Sequence, residues 1–221
     1  MNIQDTSALA GAVDEKLVAN TSGPFAVDAA KMGSGLTARY PDIRQAQVRH
    51  KTVLVRADLD VPLDGGVVAD AGAIERFAPT VVGLIERGAK VIVMAHLGMP
   101  QGEPNPTLST FPIAVALGEV LERGVQFIPD CVGETAERVT GNLPDGGIAF
   151  LENLRFHKGE TENSRAFALM LSVHGDIFVN DAPFCSQWVQ ASTNKIAEIL
   201  PPFAGPNMVA KQKKSQILEE N

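Results

Sequence analysis

The sequence has no surplus of positive charge. Its 221 residues carry 26 Asp and Glu against 19 Lys and Arg, a net charge of -7. A protein that grips a nucleic-acid backbone needs cationic groups to displace counterions, so nucleic acid is not an expected partner. The lysines cluster only at Lys211, Lys213 and Lys214, beside Glu219 and Glu220, and read as a solvated helix end. Cysteine is scarce too. Cys131 and Cys185 are the only two, and they make no disulfide framework and show no metal spacing. Reduced thiols, a cytoplasmic location and no metal site are therefore expected. No apolar run is long enough to span a bilayer, and the early acids Asp5, Asp14 and Glu15 do not suit a signal peptide, so no membrane partner is expected either.

What is present is enough chain for one well-filled domain with an extension. Residues 1–46 differ from the rest. Asp5, Thr6 and Ser7 can cap a short helix with Leu9, Val13 and Leu17 on one face, and Gly23-Pro24 breaks it. This stretch reads either as a surface-draped extension or as a docking arm for a partner. Beyond Lys51 the pattern becomes strand, helix, strand, helix. Residues 52–55, 90–94, 125–128, 148–151 and 177–180 are compact β-rich runs. Residues 73–87, 111–123, 134–139 and 164–173 carry helical spacing. Asp64-Gly65-Gly66 predicts a small hairpin with Val67-Val68. Gly88 should close the first long helix, and Pro79 inside it predicts a kink or local break. The end of the chain reads as a loop with Pro201-Pro202, then a helix from about Asn207. The alternation implies an α/β fold with a doubly wound parallel sheet covered on both faces. The domain is expected over residues 47–203, followed by a helical tail over 204–221.

Five runs carry a resemblance: Val53-Leu54-Val55-Arg56-Ala57-Asp58, His96-Leu97-Gly98, Asp130-Cys131-Val132-Gly133, Leu151-Glu152-Asn153-Leu154-Arg155-Phe156-His157 and Val179-Asn180-Asp181-Ala182. In this order and at these spacings they resemble phosphoglycerate kinase, over about residue 43 to about residue 208. The resemblance covers that family's N-terminal domain, which holds 3-phosphoglycerate. The family's second domain, which holds the magnesium nucleotide, has no counterpart here, so no ATP or magnesium cofactor is expected.

The resemblance also assigns a substrate site. The family holds its ligand's phosphate and carboxylate with a ring of basic and polar groups, for which planar arginines are suited. Arg56, Asp58, His96 and Arg155 stand at ring positions with the family's residue. Asp60 stands where the family has asparagine, which sets a carboxylate against an anion. Ala73, Met99 and Trp188 stand where it has arginines, and Gln187 and Gln190 where it has histidines. Phe184 replaces a glycine, which puts that loop's backbone shape in question. A hydrogen bond to a charged group contributes about 1.5–3 kcal/mol, so three lost arginines, discounted for non-additivity, remove roughly 3–6 kcal/mol. That is roughly a hundred- to ten-thousand-fold in affinity. Each surviving residue also has a plain structural role open to it. Arg56 and Asp58 can pair with neighbours at the strand end, His96 can be a satisfied loop histidine, and Arg155 can cap a helix or bridge to Asp58 or Asp60. Trp188 is either a plug in the vacated cleft or an interface anchor.

The expected function is that of a catalytically inactive phosphoglycerate kinase-like subunit with no catalytic residue of its own. It would bind protein partners through residues 1–46 and through the face that meets the second domain in the family. The alternatives are the substrate half of a split kinase completed by a nucleotide-binding chain, and a small-metabolite sensor.

Overall fold

The computed structural model describes residues 40–219. The short helix expected near the N-terminus lies outside the described residues. The strands are β1 (Thr52–Ala57), β2 (Leu63–Asp64), β3 (Val67–Val68), β4 (Lys90–Met94), β5 (Gln126–Ile128), β6 (Ile148–Leu151), β7 (Ile177–Asp181) and β8 (Pro202–Ala204). The helices are α1 (Gly72–Ile85), α2 (Phe111–Leu121), α3 (Glu134–Gly141), α4 (Lys158–Thr161), α5 (Arg165–Ser172) and α6 (Pro206–Glu219). Six strands form one sheet in the order β5-β6-β4-β1-β7-β8, and every pairing in it is parallel. β2 and β3 form the separate hairpin that Gly65 and Gly66 allow, both at positive φ.

Side chains alternate across the sheet, and two apolar cores result. Val53, Val55 and Ala57 of β1 join Val91, Val93, Phe150 and Val179 under α1 and α2. Leu54 joins Ile92, Met94, Leu151 and Phe178 on the other face, under α3 and α5. Helices thus cover both faces, as an all-parallel sheet requires.

Three details depart from the sequence expectation. Helix α1 runs unbroken through Pro79. Pro79 and Glu75 are both exposed, so the carbonyl that loses its helical donor faces water. A sixth strand, β8, occupies the stretch read as loop. Its prolines are tolerated because it lies at the sheet edge, with one flank paired to β7. The packed domain also begins before residue 47: Asp42 bridges to Ala204, and Ile43 and Ala46 are buried in the core. Among the described residues, no helix is long and apolar enough to cross a membrane.

The chain leaves β1 toward β4 on one side and leaves β7 toward β8 on the other. β1 and β7 are neighbours, so the winding direction reverses between them. A crevice opens beyond the carboxyl ends of strands at such a point, where ligands bind in open α/β sheets.

Candidate functional site

Residues at the strand ends, and in the loops just beyond them, gather at this end of the sheet. Arg56 is in β1, and Asp58 and Asp60 lie past its end. His96 and Met99 come after β4, Arg155 after β6, and the loop with Phe184 and Trp188 after β7. The four retained ring residues, Arg56, Asp58, His96 and Arg155, and the replaced Asp60 therefore come to one end of the sheet. Where they point differs.

Arg56 is completely buried. Its Nη2 donates to His96 Nδ1 at 2.7 Å, its Nη1 to the Ala57 carbonyl at 2.5 Å, and its Nε to Ser192 Oγ at 2.9 Å. Ser192 in turn donates from Oγ and from its backbone N–H to the two oxygens of Glu160, at 2.6 and 3.0 Å. Glu160 is itself fully buried. An arginine and a glutamate thus balance one another inside the domain through one hydroxyl, as buried charge must be balanced. His96 links this chain to the cleft. Arg56 can only donate, so Nδ1 is the bare nitrogen and Nε2 carries the proton toward Asp60 Oδ2, 3.5 Å away. Burial lowers the His96 pKa against the pull of Asp60. The carboxyl of Asp60 is held below its ordinary range, chiefly by His96 and also by the Gly98 N–H, which donates at 3.0 Å.

Asp58 serves the loop. Its two oxygens accept from the backbone N–H groups of Phe184 and Cys185, at 2.5 and 2.9 Å. The loop takes a 3-10 turn over Cys185–Gln187, entered by Phe184 at φ -77°. A residue other than glycine is unstrained there, which answers the question raised by the glycine replacement. Cys185 is buried, and burial raises its thiol pKa to about 12, which leaves it a poor nucleophile.

Arg155 bridges to neither Asp58 nor Asp60. Its Nη1 donates to the Gly98 carbonyl at 2.9 Å and meets Met99 Sδ at 2.8 Å. Its guanidinium lies 6.0 Å from the centre of the Trp188 ring. Its Nε is buried with no acceptor among the described residues. Burial and the charge of Arg56 push its pKa down. Trp188 meets Phe184 edge to face at 4.9 Å. Neither is a plug: Trp188 is 43% exposed, Phe184 58%, Val189 48% and Met99 66%. Met99 and Trp188, with Phe184 packed on Trp188, therefore make an apolar rim beside the Arg155 guanidinium. Gln190 is buried, with no partner for its Oε1, and Gln187 sits in the loop turn. Ala73 is half-buried in the first turn of α1 and packs against the core.

Sequence reasoning passed over Glu160 and Ser192. An acid three residues beyond His157, and a serine next in chain to Ala191 after the Trp188 loop, were the available signals. Neither betrays a buried relay until the fold joins them.

Gly133, at positive φ, is the N-cap of α3, and the first turn of that helix carries Glu134 and Glu137. Two carboxylates there oppose the anion that a helix N-terminus otherwise favours.

The phosphoglycerate kinase family model matches residues 43–220. Curated relatives include the phosphoglycerate kinase of Sinorhizobium medicae (strain WSM419), 48% identical over 160 residues, which are 72% of this chain and 40% of the relative. That of Allorhizobium ampelinum (strain ATCC BAA-846 / DSM 112012 / S4) is 51% identical over 160 residues, with the same shares of 72% and 40%. Among solved structures, phosphoglycerate kinase from Coxiella burnetii superposes with a TM-score of 0.70 at 30% identity, over 78% of this chain and 43% of that one. The Pyrococcus horikoshii OT3 enzyme gives 0.72 at 30% identity, over 78% and 44%. This chain spans about 40% of the length of the curated relatives it matches. With its strand-end motifs gathered at one switch point of a parallel α/β sheet, the chain belongs to the phosphoglycerate kinase family.

Proposed function

We propose that this domain has exchanged substrate binding for protein binding and acts as a structural or regulatory subunit of a larger assembly. One observation carries the reading. The polar residues kept at the cleft are bonded to one another or to the loop, and the positions where the family has arginines hold Met99 and Trp188, both exposed. Without those arginines, a small substrate with a phosphate at one end and a carboxylate at the other loses bidentate donors. The rim left behind has an aromatic pair and a methionine around one guanidinium. It suits a protein segment that offers apolar side chains with a carboxylate opposite Arg155.

Calorimetric titration with 3-phosphoglycerate up to millimolar concentration tests the loss of substrate. No measurable binding is expected, and a Kd well below the millimolar range would overturn the reading. Co-purification from the native cell tests the gain. A partner that the wild-type chain retains, and that Phe184→Ala/Trp188→Ala does not, is the expected result. The same partner held equally by both would move the interface elsewhere, residues 1–46 being the first place to look.

The substrate half of a split kinase is the second reading. Arg155 favours it: none of the described carboxylates bonds to its guanidinium, and its Nε still lacks an acceptor. Phosphoglycerate kinase activity on mixing with a separate nucleotide-binding chain is what this reading requires. ATP and magnesium would then belong to that other chain.

A further inference from the structure

A second group of reactive side chains lies beside the cleft. Asp130 and Cys131 come after β5, and His157 after the 3-10 turn Leu154–Phe156 beyond β6. β5 and β6 are neighbours in register, with Ile128 opposite Leu151, so their carboxyl ends deliver all three residues to one place. A carboxylate oxygen of Asp130, the Cys131 Sγ and an imidazole nitrogen of His157 all lie within 4.8 Å of one another. His157 Nε2 is 2.9 Å from Asp130 Oδ1. Burial is graded: Asp130 is exposed, His157 half-buried and Cys131 fully buried. The thiol forms a floor, and the side opposite it is open to solvent.

We propose that Asp130, Cys131 and His157 bind one zinc ion, with the fourth position left to water. The donor set decides the metal. A thiolate with an imidazole selects zinc over the hard cations magnesium and calcium, which prefer oxygen. Charge is balanced, since a thiolate and a carboxylate neutralise the dication while the imidazole stays neutral. On binding, Cys131 releases its thiol proton to solvent and gives up its 2.8 Å hydrogen bond to the Glu152 carbonyl. His157 carries its proton on Nδ1, so that the Nε2 lone pair meets the metal. Tetrahedral bonds of about 2.0–2.3 Å place ligand atoms roughly 3.3–3.6 Å apart, so the His157–Asp130 contact of 2.9 Å opens slightly on binding, while the thiol, within 4.8 Å of both, moves in by at most about 1 Å. Its parts are already oriented. Asp130 Oδ1 is held by the Cys131 N–H at 2.6 Å, and the His157 ring stacks on Phe167 at 4.9 Å. The site uses none of the residues on which the proposed function rests, so the two stand or fall separately.

Cobalt(II) is the probe, because a thiolate ligand gives it an intense charge-transfer absorption that carboxylate and imidazole do not. Titration of the full, untagged chain should give one cobalt per chain with that band, and zinc should displace it. His157→Ala and Asp130→Asn should each weaken binding at least about a hundredfold, the upper end of what loss of a mere outer-sphere contact costs. Cys131→Ala should abolish the band, and Cys185→Ala should leave it intact. Cys131→Ala is a buried substitution. His157→Ala lies nearer the surface, and an unchanged circular dichroism spectrum for it separates lost ligation from lost fold. Absence of the band in the wild-type chain, or a band that survives His157→Ala at the same cobalt concentration, would overturn the proposal.

Discussion

The interior and the rim of the cleft have had different fates. Inside, Arg56, His96, Ser192 and Glu160 form a closed chain, and Asp58 ties the Phe184 loop to β1. On the rim, Met99, Phe184 and Trp188 stand exposed. Two of the three hold positions where the family has arginine. The interior residues are bound into the fold, because removal of one strands a buried charge or a buried N–H, a cost measured in several kcal/mol. At the rim, Met99 and Trp188 are exposed, so a change there strands no buried charge. Substitution at the rim is therefore tolerated by the fold, and substitution in the interior is not. The lesson is that a retained motif residue reports on stability first: even Arg155, beside the exposed rim, is itself buried and bonded to the Gly98 carbonyl.

The largest test of this contrast is Arg56→Ala. It leaves Glu160 buried without its counter-charge and should cost about 3–5 kcal/mol in urea unfolding. A loss below about 1 kcal/mol would erase the distinction between interior and rim. Asp58→Ala comes next. It frees two backbone N–H groups, at Phe184 and Cys185, and should cost about 1–3 kcal/mol. Faster hydrogen exchange at those two amides would locate the effect.

A pH titration of stability sharpens the picture further. The pKa values of both His96 and His174 are lowered by burial, so the native state favours the neutral rings. Their contribution is fully present above the unfolded value of about 6.5, and it is lost as pH falls from there through the lower folded values. Asp60 acts in the same sense at lower pH. Its carboxyl is held below its ordinary range, so its contribution is present above about 3.9 and fades as pH falls through the folded value. Denaturation midpoints should drop between pH 7 and pH 5 in the wild-type chain, and His96→Gln should flatten that slope. The smallest stability effect is expected at the rim. Met99→Gln is exposed, and its unfolding free energy should stay within about 0.5 kcal/mol of wild type.

Much of the fold was legible from residue order. The β-rich runs before Arg56, Ala95 and Glu152 became β1, β4 and β6 nearly to the residue, since a strand buried on both faces leaves an apolar signature bounded by polar residues. β8 escaped because Pro201-Pro202 argues for loop, and only a vacant flank of β7 turns that stretch into an edge strand. The straightness of α1 at Pro79 was equally hidden, because it depends on which side of the helix meets water.

The candidate site divides along the same line. The motifs by themselves determined the family, the sheet end where the residues gather and the absence of three arginines, because all of these depend on residue identity and order. Only the tertiary structure decided that Arg56 turns inward to a relay with Glu160, that Trp188 stays exposed, and that Asp130, Cys131 and His157 meet. Those outcomes depend on register between strands far apart in sequence. A shift of one residue would send each side chain to the other face, and no local pattern records that choice.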